Sequence, residues 1–380
     1  MSGVPWGALP RPVGFVSEPR LFPGRLGLQQ RVLPEYRAPF FDRLAEACTG
    51  GLSIFAGPPG PEEGIRPAER LEVAKHRLAR NLRLGGGLAT VDLQSGIQAW
   101  LREWDPAALI LEANPRYLSN RTALGWMRTR RRPVLGWGLG APPLSWPWDG
   151  IRRNYLRRFD ALIAYSSWGA EQYRRMGLSG ERIFVAPNAV SGPPPPLAAR
   201  KPEAAGPVRI LFVGRLQARK RVDLLLRACG ALSAPPELQI VGDGPERAAL
   251  ERLAQQAFPH ARFLGERRGN ELDALFRQAD LFVLPGTGGL AVQQAMAHGL
   301  PVVVAEADGT QRELVRPDNG WLVVPGDLPG LIETLQRALA DPARLRRMGE
   351  ASHRITVEEV NIEVMLQVFL QALEAVTGEA

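Results

Sequence analysis

Residues 208–226 read VRILFVGRLQARKRVDLLL. Val208 to Val213 is a short run rich in branched apolar residues, and it stops at Gly214. An amphipathic segment then runs from Arg221 to Leu232. A continuous apolar strand that leads through a glycine turn into a helix is the repeating unit of a parallel sheet buried on both faces. The unit recurs downstream. Strand LQIVG (238–242) precedes helix PERAALERLAQQA (245–257), and strand ARFLG (261–265) precedes helix NELDALFRQA (270–279). Strand DLFVLP (280–285) opens into LPGTGGLAVQQAMAHGLPVV (284–303), which carries the next glycine turn, helix and strand. GWLVVPGD (320–327) follows, before helices at 328–349. The alternation predicts an α/β, doubly wound parallel domain.

The first half repeats the theme. LSIFAG (52–57), ALILEA (108–113), PVLGWG (133–138), DALIAYS (160–166) and RIFVAP (182–187) read as strands. Helices fit at 38–48, 95–103, 118–128 and 168–176. The expectation is two Rossmann-like doubly wound domains, at 1–190 and 207–355. The Pro-rich SGPPPPLAARKPEAAG (191–206) joins them as an exposed linker. The terminal segment 356–380 reads as one amphipathic helix over 356–376. Two such domains facing each other put the carboxyl ends of both sheets at a central cleft, where ligands bind.

Composition bounds the function. Of the 380 residues 45% are hydrophobic and 23% charged, a globular balance. No window approaches 18 uninterrupted apolar residues and the N-terminus is broken by prolines, so neither a membrane span nor a signal peptide is expected. The two cysteines, Cys48 and Cys229, fall in different halves. They suggest no disulfide framework or metal knuckle, and a cytoplasmic setting. The net charge is +8, with runs RTRRR (128–132) and RRNYLRR (152–158). These suit phosphates, on a sugar nucleotide or an anionic membrane. Nucleic acid is not an expected partner, because no recognition module or interleaved aromatic motif accompanies the charge. Eight of nine tryptophans lie in the first 170 residues, several in GWGLGAPPLSWPWD (136–149). They read as core packing or as an aromatic platform, and with the arginines they place any peripheral membrane contact on the first half.

The chemistry centres on Arg215, directly after Gly214, and Lys220, at the start of the next helix. Two cations beside a helix N-terminus at a sheet's carboxyl edge suit a diphosphate. VGDGPE (241–246) adds a second glycine corner at Gly242.

In this order, ILFVGRL…K…DLLL, IVGDGPE and LP…GL…QAMAHGLPVV resemble the donor domain of the GT4 family of glycosyltransferases, which have the GT-B fold. The match runs from Val208 to Val324. RVLPEYRAPFFDRLAEA and YSSWGAEQYRRMGLSGERIFVAPNAV extend it into the first half. The resemblance implies an acceptor-binding first domain, a donor-binding second domain, and a C-terminal helix that crosses back onto the first. It implies retaining transfer from a nucleotide-diphosphate sugar to a sugar, lipid or glycan acceptor, with no cofactor. No metal is expected, and the D-x-D triplet of metal-dependent relatives is absent. Arg215 and Lys220 take the catalytic diphosphate clamp. Gly214, Gly242, Gly286, Thr287, Gly288, Gly289 and Leu290 take donor phosphate and sugar, Gln294 the ribose, and Phe263 and Gly265 the base. Arg219 is expected on the outer side of its turn, dispensable. Tyr36, Arg37, Glu112, Asn114, Arg116 and Trp137 are acceptor-side candidates. The sequence departs from the family at Gly286 and Gln294, where relatives carry glutamates, and at Leu139 or Trp137, where many carry a cleft histidine. His298 is expected to cap or pack at a helix end. A nucleotide-sugar epimerase and a non-catalytic nucleotide-sugar binder stay open beside the transferase.

Overall fold

The computed structural model describes residues 20–60, 63–85, 90–142, 148–197 and 206–378. Residues 1–19, residues 198–205 of the Pro-rich joining segment and Trp146 lie outside the described residues. The first sheet is built from β1 (Leu26–Val32), β2 (Leu52–Gly57), β3 (Lys75–Leu78), β6 (Ala108–Glu112), β7 (Val134–Gly138), β8 (Ala161–Ala164) and β9 (Ile183–Val185). Its order is β3-β2-β1-β6-β7-β8-β9, with parallel pairing throughout. Between β3 and β6, β4 (Arg80–Leu84) and β5 (Val91–Ser95) form a separate antiparallel pair. The helices of this half are α1 (Ala38–Glu46), α2 (Ile97–Trp104), α3 (Ser119–Arg128), α4 (Trp148–Leu156) and α5 (Ser167–Arg175).

The second sheet uses β10 (Arg209–Val213), β11 (Glu237–Val241), β12 (Arg262–Gly265), β13 (Leu281–Leu284), β14 (Val302–Ala305) and β15 (Gly320–Val323). Its order is β12-β11-β10-β13-β14-β15, again parallel. The helices are α6 (Val222–Gly230), α7 (Arg247–Ala257), α8 (Gly269–Gln278), α9 (Leu290–Ala297), α10 (Gln311–Leu314), α11 (Leu328–Leu339), α12 (Pro342–Glu358) and α13 (Ile362–Thr377). Every residue of β13 and β14 is buried, because α/β sheets covered by helices on both faces have no wet side.

In each sheet the chain starts in the middle, builds outward on one side, then reverses to the other. The reversal falls between β1 and β6 in the first sheet and between β10 and β13 in the second. Splayed loops at such a point leave a crevice at the carboxyl ends of the two strands.

The terminal segment is two helices rather than one. The chain breaks at Glu359–Asn361, where the Asn361 carboxamide accepts from Glu363 N and Val364 N, both at 3.0 Å, and so starts α13 afresh. By length and composition the whole stretch 342–377 could cross a membrane. Its apolar residues are used otherwise. Met365, Phe369 and Leu373 of α13 are buried with Phe40, Phe41 and Trp137 in the core of the first half. Phe369 meets Phe40 edge-on at 4.9 Å and Trp137 at 5.0 Å between ring centroids. At about 1.5–3 kcal/mol for each large apolar side chain buried, this face fixes α13 to the first half.

Candidate active site

Arg215 leaves β10 through Gly214, and the neighbouring turn leaves β11 through Gly242. The two turns pass backbone to backbone. A side chain at Gly242 would collide with the Gly214 carbonyl, and one at Gly244 would meet Leu216. Gly242 has φ +132°, so glycine is needed there on both counts. The close approach opens a cavity of about 440 Å³, lined on the second-half side by Gly214, Arg215, Gly242, Asp243, Glu266 and Arg267. Gly64 of the first half completes the lining. The guanidinium of Arg215 occupies the place a Cβ on Gly64 would take, so this cation bridges the two halves.

Lys220 ends a short 3-10 turn, and its ammonium donates to Thr287 O at 2.6 Å. Burial, reinforced by the Arg219 charge, pulls its pKa down to about 8. The 286–290 loop leans on the same turn: Thr287 N donates to Arg219 O at 3.0 Å. Arg219 itself donates from Nη1 to Thr287 Oγ1 at 3.1 Å. The expectation that Arg219 stands outside the site is therefore overturned, because the 3-10 turn rotates it toward the loop. Gly286 is buried against the backbone of Arg219 and Lys220, whose Cα is 2.6 Å from where a Cβ would stand. That packing leaves no room for the glutamate of relatives. Gly288 sits beside the Lys220 ammonium, Gly289 caps α9, and Leu290 begins it. Gln311, only 1% exposed, donates from Nε2 to Gly288 O at 3.1 Å and supports the loop from beneath.

Gln294 is exposed on α9, whereas its neighbour Gln293 is buried and donates to Asn188 O of the first half at 2.7 Å. Phe263 and Gly265 lie at the end of β12, and the Gly265 carbonyl accepts from Gly242 N at 2.8 Å. His298 is the C-cap of α9, with Nδ1 2.8 Å from Gln294 O and its ring stacked on Phe276.

The acceptor-side candidates divide. Glu112 ends β6, half-buried, and accepts from Arg31 N at 2.9 Å. Burial, partly offset by Arg31 and Arg37, pushes its carboxyl up to about 7. Asn114 is half-buried and its Oδ1 accepts from Arg116 N at 3.1 Å, while the Arg116 side chain is exposed. Tyr36 is 40% exposed. Trp137 does not face the cleft. It is 1% exposed, on the strand face that packs against α1 and α13. Arg37 is likewise 4% exposed, with its guanidinium 4.4 Å over the Trp137 ring. The residue past β7 that opens to solvent is Leu139.

A second bridge between the halves escaped sequence reasoning. Ser167 N donates to Glu313 Oε1 at 2.9 Å, and the Ser167 hydroxyl bonds the same oxygen. Trp168 lies against Gly309, with Arg312 5.5 Å from its ring. No signal in either segment alone reveals the pairing. Gly64 was missed for the same reason. Gln311 was missed because a lone buried amide has no sequence signature.

Residues 197–354 match the family model described as "Glycosyl transferases group 1". The glycogen synthase of Mycobacterium tuberculosis is 31% identical over 231 residues, covering 58% of this chain and 54% of that protein, so the chain spans about half the length of that relative. The lipopolysaccharide core biosynthesis glycosyltransferase LpsE of Rhizobium meliloti is 26% identical over 73% of this chain and 87% of its own. Among solved structures, Anabaena Alr3699/HepE in complex with UDP superposes with a TM-score of 0.68 at 16% identity, over 92% of this chain and 99% of that one. The fold is GT-B, and residues 197–354 resemble the group 1 glycosyl transferases in sequence.

Proposed function

We propose that the chain is a retaining, metal-independent glycosyltransferase that takes its sugar from a nucleotide-diphosphate donor. The supporting observation is the clamp at the β10/β13 reversal. Arg215 lines a cavity floored by two glycine turns, and Lys220, at the end of the next short turn, donates to Thr287 O of the 286–290 loop. A diphosphate held there loses its bond to the sugar's anomeric carbon, and both cations balance the charge that grows on the leaving oxygen. The acceptor hydroxyl attacks from the same face and passes its proton to that departing oxygen, so no side-chain base is required. The acceptor lies on the first half, near Tyr36, Glu112, Asn114 and Arg116. HepE holds UDP, so uridine diphosphate sugars head the donor panel.

The enzyme works in the cytoplasm, with peripheral contact to an anionic membrane through the first half. Exposed Trp148 and Ile151 share α4 with exposed Arg153, and Arg157 follows, an interfacial pairing of apolar and basic groups. Flotation with anionic vesicles at low and high salt tests this, and no binding at low salt rejects it.

Purified protein is offered a donor panel and assayed for released nucleoside diphosphate. Arg215→Ala or Lys220→Ala should each lower donor kcat/KM by roughly a hundredfold or more, the scale of losing a donor aimed at transition-state charge. The double variant should lose less than the product, since both groups act on one leaving group. Solvent exchange at the sugar's C2 without transfer would establish an epimerase instead. Donor binding without turnover would establish a binder.

A further inference from the structure

Arg37 is a buried cation that no carboxylate approaches within salt-bridge distance among the described residues. It is 4% exposed, and its Nη1 has no hydrogen-bond partner. Its Nη2 reaches only the Tyr165 hydroxyl, at 3.4 Å. Around it stand three aromatic rings: Trp137 at 4.4 Å, Tyr165 at 5.4 Å and Tyr36 at 5.6 Å from the guanidinium carbon. Aromatic faces recover only part of what a guanidinium loses on leaving water. A desolvated cation with an unused donor is a strong hydrogen-bonding partner for an anion that brings its own charge.

The position matters as much as the burial. Arg37 lies in the loop after β1, and Glu112 ends β6, its neighbour across the order reversal of the first sheet. That crevice is where a doubly wound sheet takes its ligand. Tyr36 is exposed, Tyr165 and Glu112 are half-buried, and Arg37 lies one layer below them. The most exposed of its three rings is Tyr36, 5.6 Å from the guanidinium carbon.

We propose that Arg37 recognises an anionic group, a phosphate or a carboxylate, carried by the acceptor. The inference rests on the transferase reading for the word acceptor, but not for the anion site. The Tyr165 hydroxyl donates to a second oxygen of the same group, and the aromatic walls exclude water and neutral diols alike. Glu112 opposes the anion when ionised, so the group that binds must engage the Nη1 side of Arg37 and stand clear of the Glu112 carboxylate.

Two measurements test this on the full chain. The first follows thermal melting against inorganic phosphate and, separately, acetate. It uses the Arg215→Ala, Lys220→Ala double variant so that the donor clamp cannot bind the probe. An anion-dependent rise in Tm is expected. Adding Arg37→Met should weaken the apparent anion affinity about 10- to 100-fold, the scale of a lost charge-assisted bond. It should also raise the Tm of the unliganded protein, because an unpaired buried charge is replaced by an apolar side chain of similar length. Arg37→Lys should keep part of the response. The second measurement compares a hexose, its 6-phosphate and its uronic acid as acceptors for the wild-type chain. Preference for the phosphate or for the uronate identifies the source of the anion. Equal transfer to the neutral hexose overturns the proposal, as does an anion response untouched by Arg37→Met. A chain that responds to anions but releases no nucleotide from any donor keeps this site and loses the transferase reading.

Discussion

Replacing Gly286 with alanine probes the site at its tightest point. A Cβ at 286 would stand 2.6 Å from Lys220 Cα and closer still to the Arg219 carbonyl. Ordinary contact begins near 3.5 Å, so the 218–220 turn must retreat by about 1 Å. The turn cannot yield alone, because Arg219 O accepts from Thr287 N and Lys220 Nζ donates to Thr287 O. Overpacking of this kind costs about 1–3 kcal/mol, or a few degrees in the Tm of a domain this size. The catalytic loss should be larger. Moving the clamp by 1 Å from the donor diphosphate costs roughly 100-fold in rate. Donor kcat/KM by released nucleotide, beside a melting curve, reads both effects. Gly289→Ala is the stability control, since a Cβ there meets only Thr310 Oγ1 at 3.8 Å. Gly286→Glu, which restores the residue of relatives, should do worse than Gly286→Ala. If Gly286→Ala kept its Tm and its kcat/KM within about threefold, the steric account of the 286–290 loop would be wrong.

Lys220 ionises near 8 in the free protein, so donor kcat/KM should fall as pH rises above that value, and Lys220→Arg should flatten this limb. An unchanged limb in Lys220→Arg would assign the titration elsewhere. Glu112 holds its proton up to about pH 7, whereas the unfolded chain releases it near 4.5. The native state then binds more protons across that window, so Glu112 subtracts stability as pH rises through it. Glu112→Gln should therefore raise the Tm at pH 8 and leave it unchanged at pH 4.5, and equal shifts at both would refute this. Gly64→Ala displaces Arg215 across the cleft and strains a residue at φ +61°. It should raise donor KM about tenfold, and much less in an Arg215→Ala background; additive losses would deny the contact.

The apolar strands and their glycine turns were legible because a strand buried on both faces leaves a continuous run that little else produces. The β4/β5 pair was not. Arg80, Leu82, Arg83 and Leu84 are exposed or half-exposed whichever way they point, so no alternation survives to be read. The break before α13 had a signal, Asn361 placed to cap, but the apolar period on both sides masked it. Trp137 was misread because strand position was taken as cleft position. In a pleated strand only one of two successive side chains faces a given layer, and the layer beneath Trp137 is supplied by Phe369, far away in sequence. The positions of Arg215 and Lys220 after the first glycine turn were readable from the chain, whereas Gly64 and the Ser167–Glu313 bridge depend on how two separately folded sheets meet.

The return of α13 to the first half sets an order on synthesis. The second core draws its buried residues only from Ile210 to Val360, one continuous stretch of chain. The first core draws on Phe22 to Ala189 and again on Ile362 to Leu373. A nascent chain emerges from the ribosome amino end first, and domains ordinarily fold in that sequence. Here the earlier-made half waits with Phe40, Phe41 and Trp137 uncovered until the last helix is translated, while the later-made half can already close. Released chains truncated after residue 361 should then show a protease-resistant second half and a sensitive first half, and the reverse pattern would contradict it. A chain built this way completes its second core before its first.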